Sequence, residues 1–345
     1  MHAATVAKTA AVAWAVKLQD LYPLLELLAH GGFHSGETLA KELGITRAAV
    51  WKQIQSLNAV PGIEIESVHG KGYRLNSELQ LLDVGCILKQ VPENLRSHLQ
   101  GLQLLPETDS TNDWLRHNSP ADLNAGRACV AEYQHAARGR RGRQWVCTFG
   151  SNIYLSLAWR FDLGMADLAG LSLAAGVAVA RVLKTQGLES HGLKWPNDIY
   201  LDGRKLGGIL VDASGEMAGP ALAVIGVGIN LKLNGGSAER IDQPWTDLAS
   251  NMEQLPDRNH LCGNLLASLL DACLVYQNQG LSAFLEDWKA YDIYLDQPVA
   301  LHMGSQVVSG IYRGLDERGG LVLEDTNGCR SWYAGEVSLR GEDGT

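Results

Sequence analysis

The sequence has little of several things that would fix its class at once. Its six cysteines (Cys86, Cys129, Cys147, Cys262, Cys273 and Cys329) are scattered over 345 residues. No Cys-x-x-Cys pair and no histidine cluster at zinc spacing accompanies them, which excludes a disulfide scaffold and a structural zinc module. The thiols are expected to be reduced, as in a cytoplasmic protein. Lysine and arginine total 29 against 38 acidic residues, for a formal net charge of -9. The chain is therefore no general basic coat, and any nucleic-acid contact must come from a local patch. Long apolar runs are missing too. Ala10 to Val16 is short, is followed by Lys17 and Asp20, and has no export cleavage pattern. No other run is expected to approach membrane-spanning length, so no membrane partner is expected.

What is present suffices for sizeable cores, with 46% hydrophobic and 19% charged residues in a length suited to two or three domains. The scarce cations concentrate in one place. Arg138, Arg140, Arg141 and Arg143 are separated by Gly139 and Gly142. Guanidinium forks suit phosphate and carboxylate, and glycine lets the backbone approach an anion. Taken alone, the loop reads equally as an anion site and as a solvated basic turn.

Along the chain, residues 1–17 read as a weakly helical or poorly ordered extension. Residues 18–80 read as a winged helix-turn-helix. Pro23 fits a first helical turn, and Leu24, Leu25, Leu27 and Leu28 form an apolar stripe that Gly31 and Gly32 stop. Ser35 caps a second helix ending at Gly44, and Thr46 caps a third from about Arg47 to Leu57. Ile63 to Val68 alternates as a strand, turns at His69 to Gly72, and returns through Tyr73 to Leu75. Arg47, Lys52 and Gln53 on the third helix, with Lys71 and Arg74 on the wing, are the candidate DNA-binding residues. So few cations imply a dimer on two half-sites, and a protein-interaction module is the competing reading.

Residues 81–292 alternate strands with helices. Strands are expected over Ile153 to Trp159, Lys205 to Asp212 and Ala221 to Leu231, and helices over Leu168 to Gln186 and about Leu261 to Gln277. Residues 293–345 carry short strands with turns at Gly304-Ser305, Glu317 to Gly320 and Thr326 to Gly328, which points to a small closed β-barrel. The fold class is α+β multidomain.

The arginine loop lies within Glu132-Tyr-Gln-His-Ala-Ala-Arg-Gly-Arg-Arg-Gly-Arg-Gln-Trp145. With Asp109-Ser-Thr-Asn112, Lys194-Trp-Pro-Asn-Asp198, Arg204-Lys-Leu-Gly-Gly208, Gly226-Val-Gly-Ile-Asn230 and the winged domain, it resembles the bifunctional biotin protein ligases that double as biotin operon repressors. The likeness covers roughly Leu21 to Arg340, including Gly335-Glu-Val-Ser-Leu-Arg340. It implies a mixed α/β ligase domain and an SH3-like C-terminal barrel. It implies joining of biotin to ATP, with Mg²⁺, to give biotinyl-5'-AMP and pyrophosphate. Biotin then passes to a lysine of the biotin carrier domain of acetyl-CoA carboxylase. It also implies repression at an operator, with biotinyl-5'-AMP as corepressor and a homodimer when the adenylate is bound.

Matching positions assign Ser110, Thr111, Asn112, Gln134, Arg138, Gly139 and Arg140 to biotin, whose neutral ureido ring needs both donors and acceptors. Lys205 matches the lysine near the biotin carboxylate and the α-phosphate, and with Arg140 carries the electrostatic work of catalysis. Trp145, Lys194, Asn197, Asp198, Asn230 and Trp245 match the ATP and adenylate side. No dedicated metal ligands are expected. Ser110 to Asn112 also suit a helix cap, Lys194 a structural ion pair and Trp145 the core. His69, His135 and His191 receive no chemistry. Ala137 stands where the family often has glycine, and the segment Leu231 to Trp245 aligns loosely with a second loop. A lipoate or octanoate ligase shares such a catalytic fold, but the winged domain, the Arg-Gly-Arg loop and the C-terminal domain disfavour it. A regulator with a degenerate ligase domain is opposed by Arg138, Arg140 and Lys205.

Overall fold

The structure, a computed structural model, describes residues 17–120, 123–233, 239–303, 306–333 and 337–341. The extension at 1–16, Gly235-Gly236, the Gly304-Ser305 turn and Gly335-Glu336 lie outside the described residues.

The first helix, α1, spans Leu18–Ala29 and contains Pro23 in its interior rather than in its first turn. It starts early because the Leu18 amide donates to Glu107 Oε1 at 2.7 Å, which satisfies an end group that has no helical partner. Helix α2 (Gly36–Leu43) is capped by Ser35 and stopped by Gly44 at φ 66°, and α3 (Arg47–Leu57) is capped by Thr46. Strands β1 (Ile65–Val68) and β2 (Gly72–Leu75) pair antiparallel as the wing. Strand β1 begins two residues later than its alternation suggests, because the Ile65 amide and carbonyl are both taken by the Asn58 side chain. The core of this unit is Leu21, Leu25, Val50, Ile54 and Leu57, and it includes one residue from far along the chain, the fully buried Phe149. The Phe149 amide donates to the Pro61 carbonyl at 2.8 Å, so the winged unit and the central domain share a core.

Short helices α4 (Val84–Lys89) and α5 (Glu93–Arg96) lead into a seven-stranded sheet. Its strands are β3 (Leu99–Leu105), β4 (Gly126–Ala131), β5 (Asn152–Phe161), β6 (His191–Lys194), β7 (Asp198–Leu201), β8 (Arg204–Gly215) and β9 (Ala221–Asn230). The order is β3-β4-β5-β9-β8-β7-β6, with β3 and β4 parallel and every other pair antiparallel. Helices α7 (Leu171–Thr185) and α8 (Arg258–Gln279) cover one face, and α6 (Thr111–Asn118) covers part of the other. Alternation sorts the residues by face: Ala128 and Val130 join the large core, while Cys129, Ala158 and Val224 pack under α6 at Leu115.

One expectation needs correcting. Met165–Thr185 does have the length and apolarity to cross a bilayer, but 72% of it is buried within the protein, as a core helix requires. Burial also pushes the thiols of Cys129, Cys147 and Cys262 up to about 12, which keeps them protonated and inert.

Helix α9 (Leu285–Tyr291) joins the C-terminal unit, whose strands are β10 (Pro298–Met303), β11 (Gln306–Leu315), β12 (Leu321–Asp325), β13 (Gly328–Trp332) and β14 (Val337–Gly341). They form one antiparallel sheet ordered β13-β12-β11-β10-β14. A bulge between Tyr312 and Leu315 bends it, and among the described residues no pairing of β13 with β14 closes the expected barrel. Trp195 of the central domain is buried and donates to the Gly319 carbonyl at 3.0 Å, which fixes the unit against the sheet.

Phe149→Ala should cost about 3–5 kcal/mol in denaturant unfolding, because it empties a shared core. A cost below about 1 kcal/mol would contradict the shared packing.

Candidate active site

The sheet face that α6 leaves uncovered is defined by missing side chains. In register across three strands, Ser156 faces Gly226, which faces Leu210, while Tyr154 faces Gly228, which faces Gly208. A Cβ on Gly226 would collide with Asn112 Oδ1, and one on Gly228 or Gly208 would lie 3.1 or 3.4 Å from the Trp145 ring. The glycines thus cut a trench, into which groups from α6 and from the segment after β4 descend.

One end of the trench is neutral and saturated with hydrogen bonds. Ser110 is the N-cap of α6, its Oγ accepting from the Asp113 amide at 3.3 Å. Its capping role and its place at the site coincide. The Thr111 amide and hydroxyl both donate to Gln134 Oε1, at 2.8 and 3.2 Å. Ser156 donates to Asn112 Oδ1 at 2.6 Å and lies 2.7 Å from Thr111 Oγ1, and Asn112 Nδ2 donates to Asp212 Oδ2 at 2.9 Å. Ser110, Thr111, Asn112, Gln134 and Ser156 are all buried. Such a cluster keeps amides and hydroxyls fixed in direction.

The arginine loop closes over the trench as a small hairpin. Arg138 bridges Gln144, the Gly139 amide donates to the Arg143 carbonyl at 2.7 Å, and the Trp145 amide to the Ala137 carbonyl at 2.9 Å. The turn is tight: Arg141 and Gly142 both take positive φ, 60° and 71°. Ala137 is 6% exposed and packs with Cys147 and Tyr154. Arg138 is drawn to the neutral end by Asp113 at 2.6 Å and Asp212 at 3.7 Å. Burial holds the Arg140 guanidinium below its ordinary value, Arg141 and Arg143 push the same way, and Asp198 opposes them.

At the other end, Lys205 pairs with Asp198 at 2.8 Å, with only 14% and 19% of the two side chains exposed. Its ammonium also lies 5.6 Å from the Trp145 ring centroid. The Trp145 Nε1 is buried with no hydrogen-bond partner among the described residues. Residues 205 and 245 form a β-bridge, and Asn230 Nδ2 donates to the Thr246 carbonyl at 3.0 Å. Trp145, Lys205, Asn230, Arg240 and Trp245 line a cleft at this end.

The structure therefore gathers Ser110, Thr111, Asn112, Gln134 and Arg138 at one end, and Trp145, Asp198, Lys205, Asn230 and Trp245 at the other, with Gly139 and Arg140 in the hairpin above. Two further expected residues, Lys194 and Asn197, make contacts beside the trench. Lys194 donates to Tyr200 Oη at 3.3 Å and lies over the rings of Tyr200 and Tyr294, at the sheet edge facing the C-terminal unit. Asn197 donates to the Ile209 carbonyl at 2.6 Å and so braces the turn before β7. Sequence reasoning missed Ser156, Asp113, Asp212 and Arg240. Ser156 had a signal, as the one serine inside the buried run 153–159 of β5.

In the winged unit, Arg47 and Lys52 are exposed on α3 and Gln53 is half-buried. Lys71 and Arg74 lie over the Phe33 ring at 5.6 and 4.5 Å, and Arg74 is also tied to Glu66 at 2.7 Å.

A winged DNA-binding unit fused to a trench that is neutral at one end and cationic at the other defines a class: a ligand-activating enzyme carrying its own DNA-binding module. The comparisons with known proteins narrow it. Residues 104–230 match the biotin/lipoate A/B protein ligase family, residues 21–74 a helix-turn-helix domain, and residues 294–340 the biotin protein ligase C-terminal domain. The chain is 43% identical over 317 residues to the bifunctional ligase/repressor BirA of Salmonella typhimurium, covering 92% of this chain and 96% of the relative. It is 36% identical over 231 residues to the biotin–[acetyl-CoA-carboxylase] ligase of Mycobacterium tuberculosis, covering 65% of this chain and 83% of that one. The solved biotin protein ligase of Aquifex aeolicus, in complex with biotin and ATP, superposes with a TM-score of 0.60 at 27% identity, over 70% of this chain and all 100% of that one. The chain belongs to the biotin protein ligase family, in its bifunctional ligase/repressor form.

Gly226→Ala forces a methyl into the Asn112–Ser156 network and should cost roughly 1–3 kcal/mol in denaturant unfolding. Gly142→Ala meets open space and should cost only about 1 kcal/mol, from its positive φ. Equal costs at the two positions would contradict the packed trench.

Proposed function

We infer that this chain is an ATP-dependent biotin protein ligase, forming biotinyl-5'-AMP and transferring biotin to a lysine of the acetyl-CoA carboxylase carrier domain, and that it is also the repressor of a biotin operon. The carrying observation is the juxtaposition within one trench of a buried neutral cluster with a cationic, aromatic end. Gln134, Thr111 and Asn112 offer the donors and acceptors that a ureido ring matches. A lipoyl group has no ureido ring and would offer these groups neither donor nor acceptor.

In this reading the biotin carboxylate lies toward Lys205, Arg138, Gly139 and Arg140, and the nucleotide occupies the cleft at Trp145, Asn230 and Trp245. The carboxylate attacks the α-phosphate, a carbon–oxygen–phosphorus anhydride forms, and pyrophosphate leaves. Two anionic groups must meet, so Lys205 and Arg140 act by screening charge at fixed positions. The short Lys205–Asp198 pair keeps the ammonium aimed before ligand arrives. Among the described residues no cluster of three or more His, Cys, Asp or Glu side chains stands ready for a metal. Asp198, the carboxylate beside Lys205, would hold a Mg²⁺ brought by the ATP phosphates, and the ion would there neutralise phosphate charge. The arginine hairpin then excludes water from the mixed anhydride until a carrier lysine attacks its carbonyl and AMP departs. Lys194 and Asn197 support this end through the sheet edge.

Residues 18–80 form the DNA-binding domain, 81–292 the catalytic domain and 293–345 the C-terminal domain, for which an SH3-like barrel is the finer form of this reading. Biotinyl-5'-AMP acts as corepressor by favouring a homodimer whose two winged units, through Arg47, Lys52, Gln53, Lys71 and Arg74, engage two half-sites of operator DNA. A cytoplasmic location without a membrane partner completes this reading.

Lys205→Ala should slow biotin-dependent pyrophosphate release at least about a hundredfold, with the thermal midpoint held, by removing a charge used in the transition state. Unchanged release would remove Lys205 from its role. Operator affinity should rise about tenfold or more when biotin and ATP are supplied, the lower range of an allosteric coupling. Equal affinity with and without them would remove the corepressor role.

A further inference from the structure

One buried ion pair lies outside the trench and joins parts that the adenylation site uses. Glu132 is 0% exposed and Arg258, in the first turn of α8, is 2% exposed, and Arg258 Nη1 lies 2.5 Å from Glu132 Oε2. The other Glu132 oxygen accepts from the Leu82 amide at 2.6 Å and from the Tyr22 hydroxyl at 3.2 Å. Tyr22 belongs to α1 of the winged unit. Arg258 uses the rest of its fork on backbone: Nε and Nη2 donate to the Asn152 carbonyl at 3.1 and 2.9 Å, and Nη1 to the Gln80 carbonyl at 3.0 Å.

Both partners lead to the site. Glu132 stands two residues before Gln134, whose Oε1 holds Thr111, and six before Arg138. Asn152 is the register partner of Asn230, its Oδ1 accepts from the Leu231 amide at 3.1 Å, and its Nδ2 donates to the Tyr154 hydroxyl at 2.9 Å. The pair thus fixes the root of the arginine hairpin, the floor of the adenylate cleft, the segment between the domains and the first helix of the winged unit.

A buried ion pair is a poor way to gain stability, since desolvation offsets most of the attraction. What the guanidinium fork provides is direction: three bonded groups at fixed angles to one carboxylate and two carbonyls. We propose that Glu132 and Arg258 are positioning residues for adenylation, and that the Tyr22 hydroxyl links the seating of the winged unit to the biotin end of the trench. The proposal rests on the biotin ligase reading. Loosening Tyr22 acts through Glu132 on Gln134, and so on biotin affinity. Replacing the Arg258 fork acts on both ends, and so on turnover.

The test uses the full chain, measuring pyrophosphate release against biotin concentration at saturating MgATP, alongside thermal unfolding. Tyr22→Phe removes one hydroxyl at a domain contact and should raise the biotin KM roughly three- to tenfold, the worth of an ordinary hydrogen bond, with kcat and the thermal midpoint kept. Arg258→Lys keeps the charge and loses the fork, and should lower kcat about tenfold or more, as small misplacements of reacting groups do. A purely structural pair would lower the midpoint of these variants and leave KM and kcat unmoved, which overturns the proposal. If Arg258→Lys does not fold, Tyr22→Phe alone decides, and an unchanged biotin KM rejects the link. If the unaltered chain releases no pyrophosphate with biotin, the ligase reading itself falls and the proposal falls with it. That outcome is distinct from a working ligase indifferent to Tyr22.

Discussion

The site depends on side chains that are not there. Gly208 on β8 and Gly226 and Gly228 on the adjacent β9 lie together, and the space their Cβ atoms would fill is taken by Asn112 and by the indole of Trp145. The sheet can then be both a packed core on one face and a floor for ligand on the other. Because β5 and β9 are long and in unbroken register, the floor is rigid, and the polar groups standing on it are held by one another rather than by solvent. The order of strands follows: β9 and β8 carry the glycines, β5 carries Ser156, and the parallel β3–β4 pair delivers Ser110 and Gln134 from its carboxyl ends.

Charge is arranged against this floor with economy. A chain of net charge -9 places its densest cations over the trench and balances each in a different way. Arg138 is neutralised by Asp113 and Asp212, Lys205 by Asp198, and Arg140 sits among like charges in a partly desolvated hairpin. An incoming phosphate or carboxylate gains most where compensation is least, at the hairpin around Arg140. Ligand binding and closure of the hairpin are in this sense one electrostatic event. The same hairpin is rooted at Glu132, so events at the trench and the seating of the winged unit share a fixed point.

Much of this was legible in the sequence, for identifiable reasons. The caps at Ser35 and Thr46, the left-handed stop at Gly44 and the alternation of Ile65 to Val68 are local signals, and they placed the winged unit. The motifs at Ser110, Gln134, Arg138 and Lys205 were readable because their residue types state their chemistry. Less visible was whatever depends on register. Ser156 and Asp212 become site residues only because β5, β9 and β8 align as they do, and the Glu132–Arg258 pair spans 126 residues of sequence. Pro23 misled, because a distant carboxylate at Glu107 lets its helix begin a turn early. Lys194 and Asn197 show the same limit: their motif names their residue types, while their contacts to Tyr200 and to the Ile209 carbonyl depend on how the strands align.

The central claim is that this trench activates biotin and hands it to a protein. Its most direct test is the intact mass of an acetyl-CoA carboxylase carrier domain after incubation with the chain, biotin and MgATP. The account predicts the addition of one biotinyl group at a single lysine, dependent on ATP, and no addition when lipoate replaces biotin. An unmodified carrier, or equal transfer of lipoate, would contradict it.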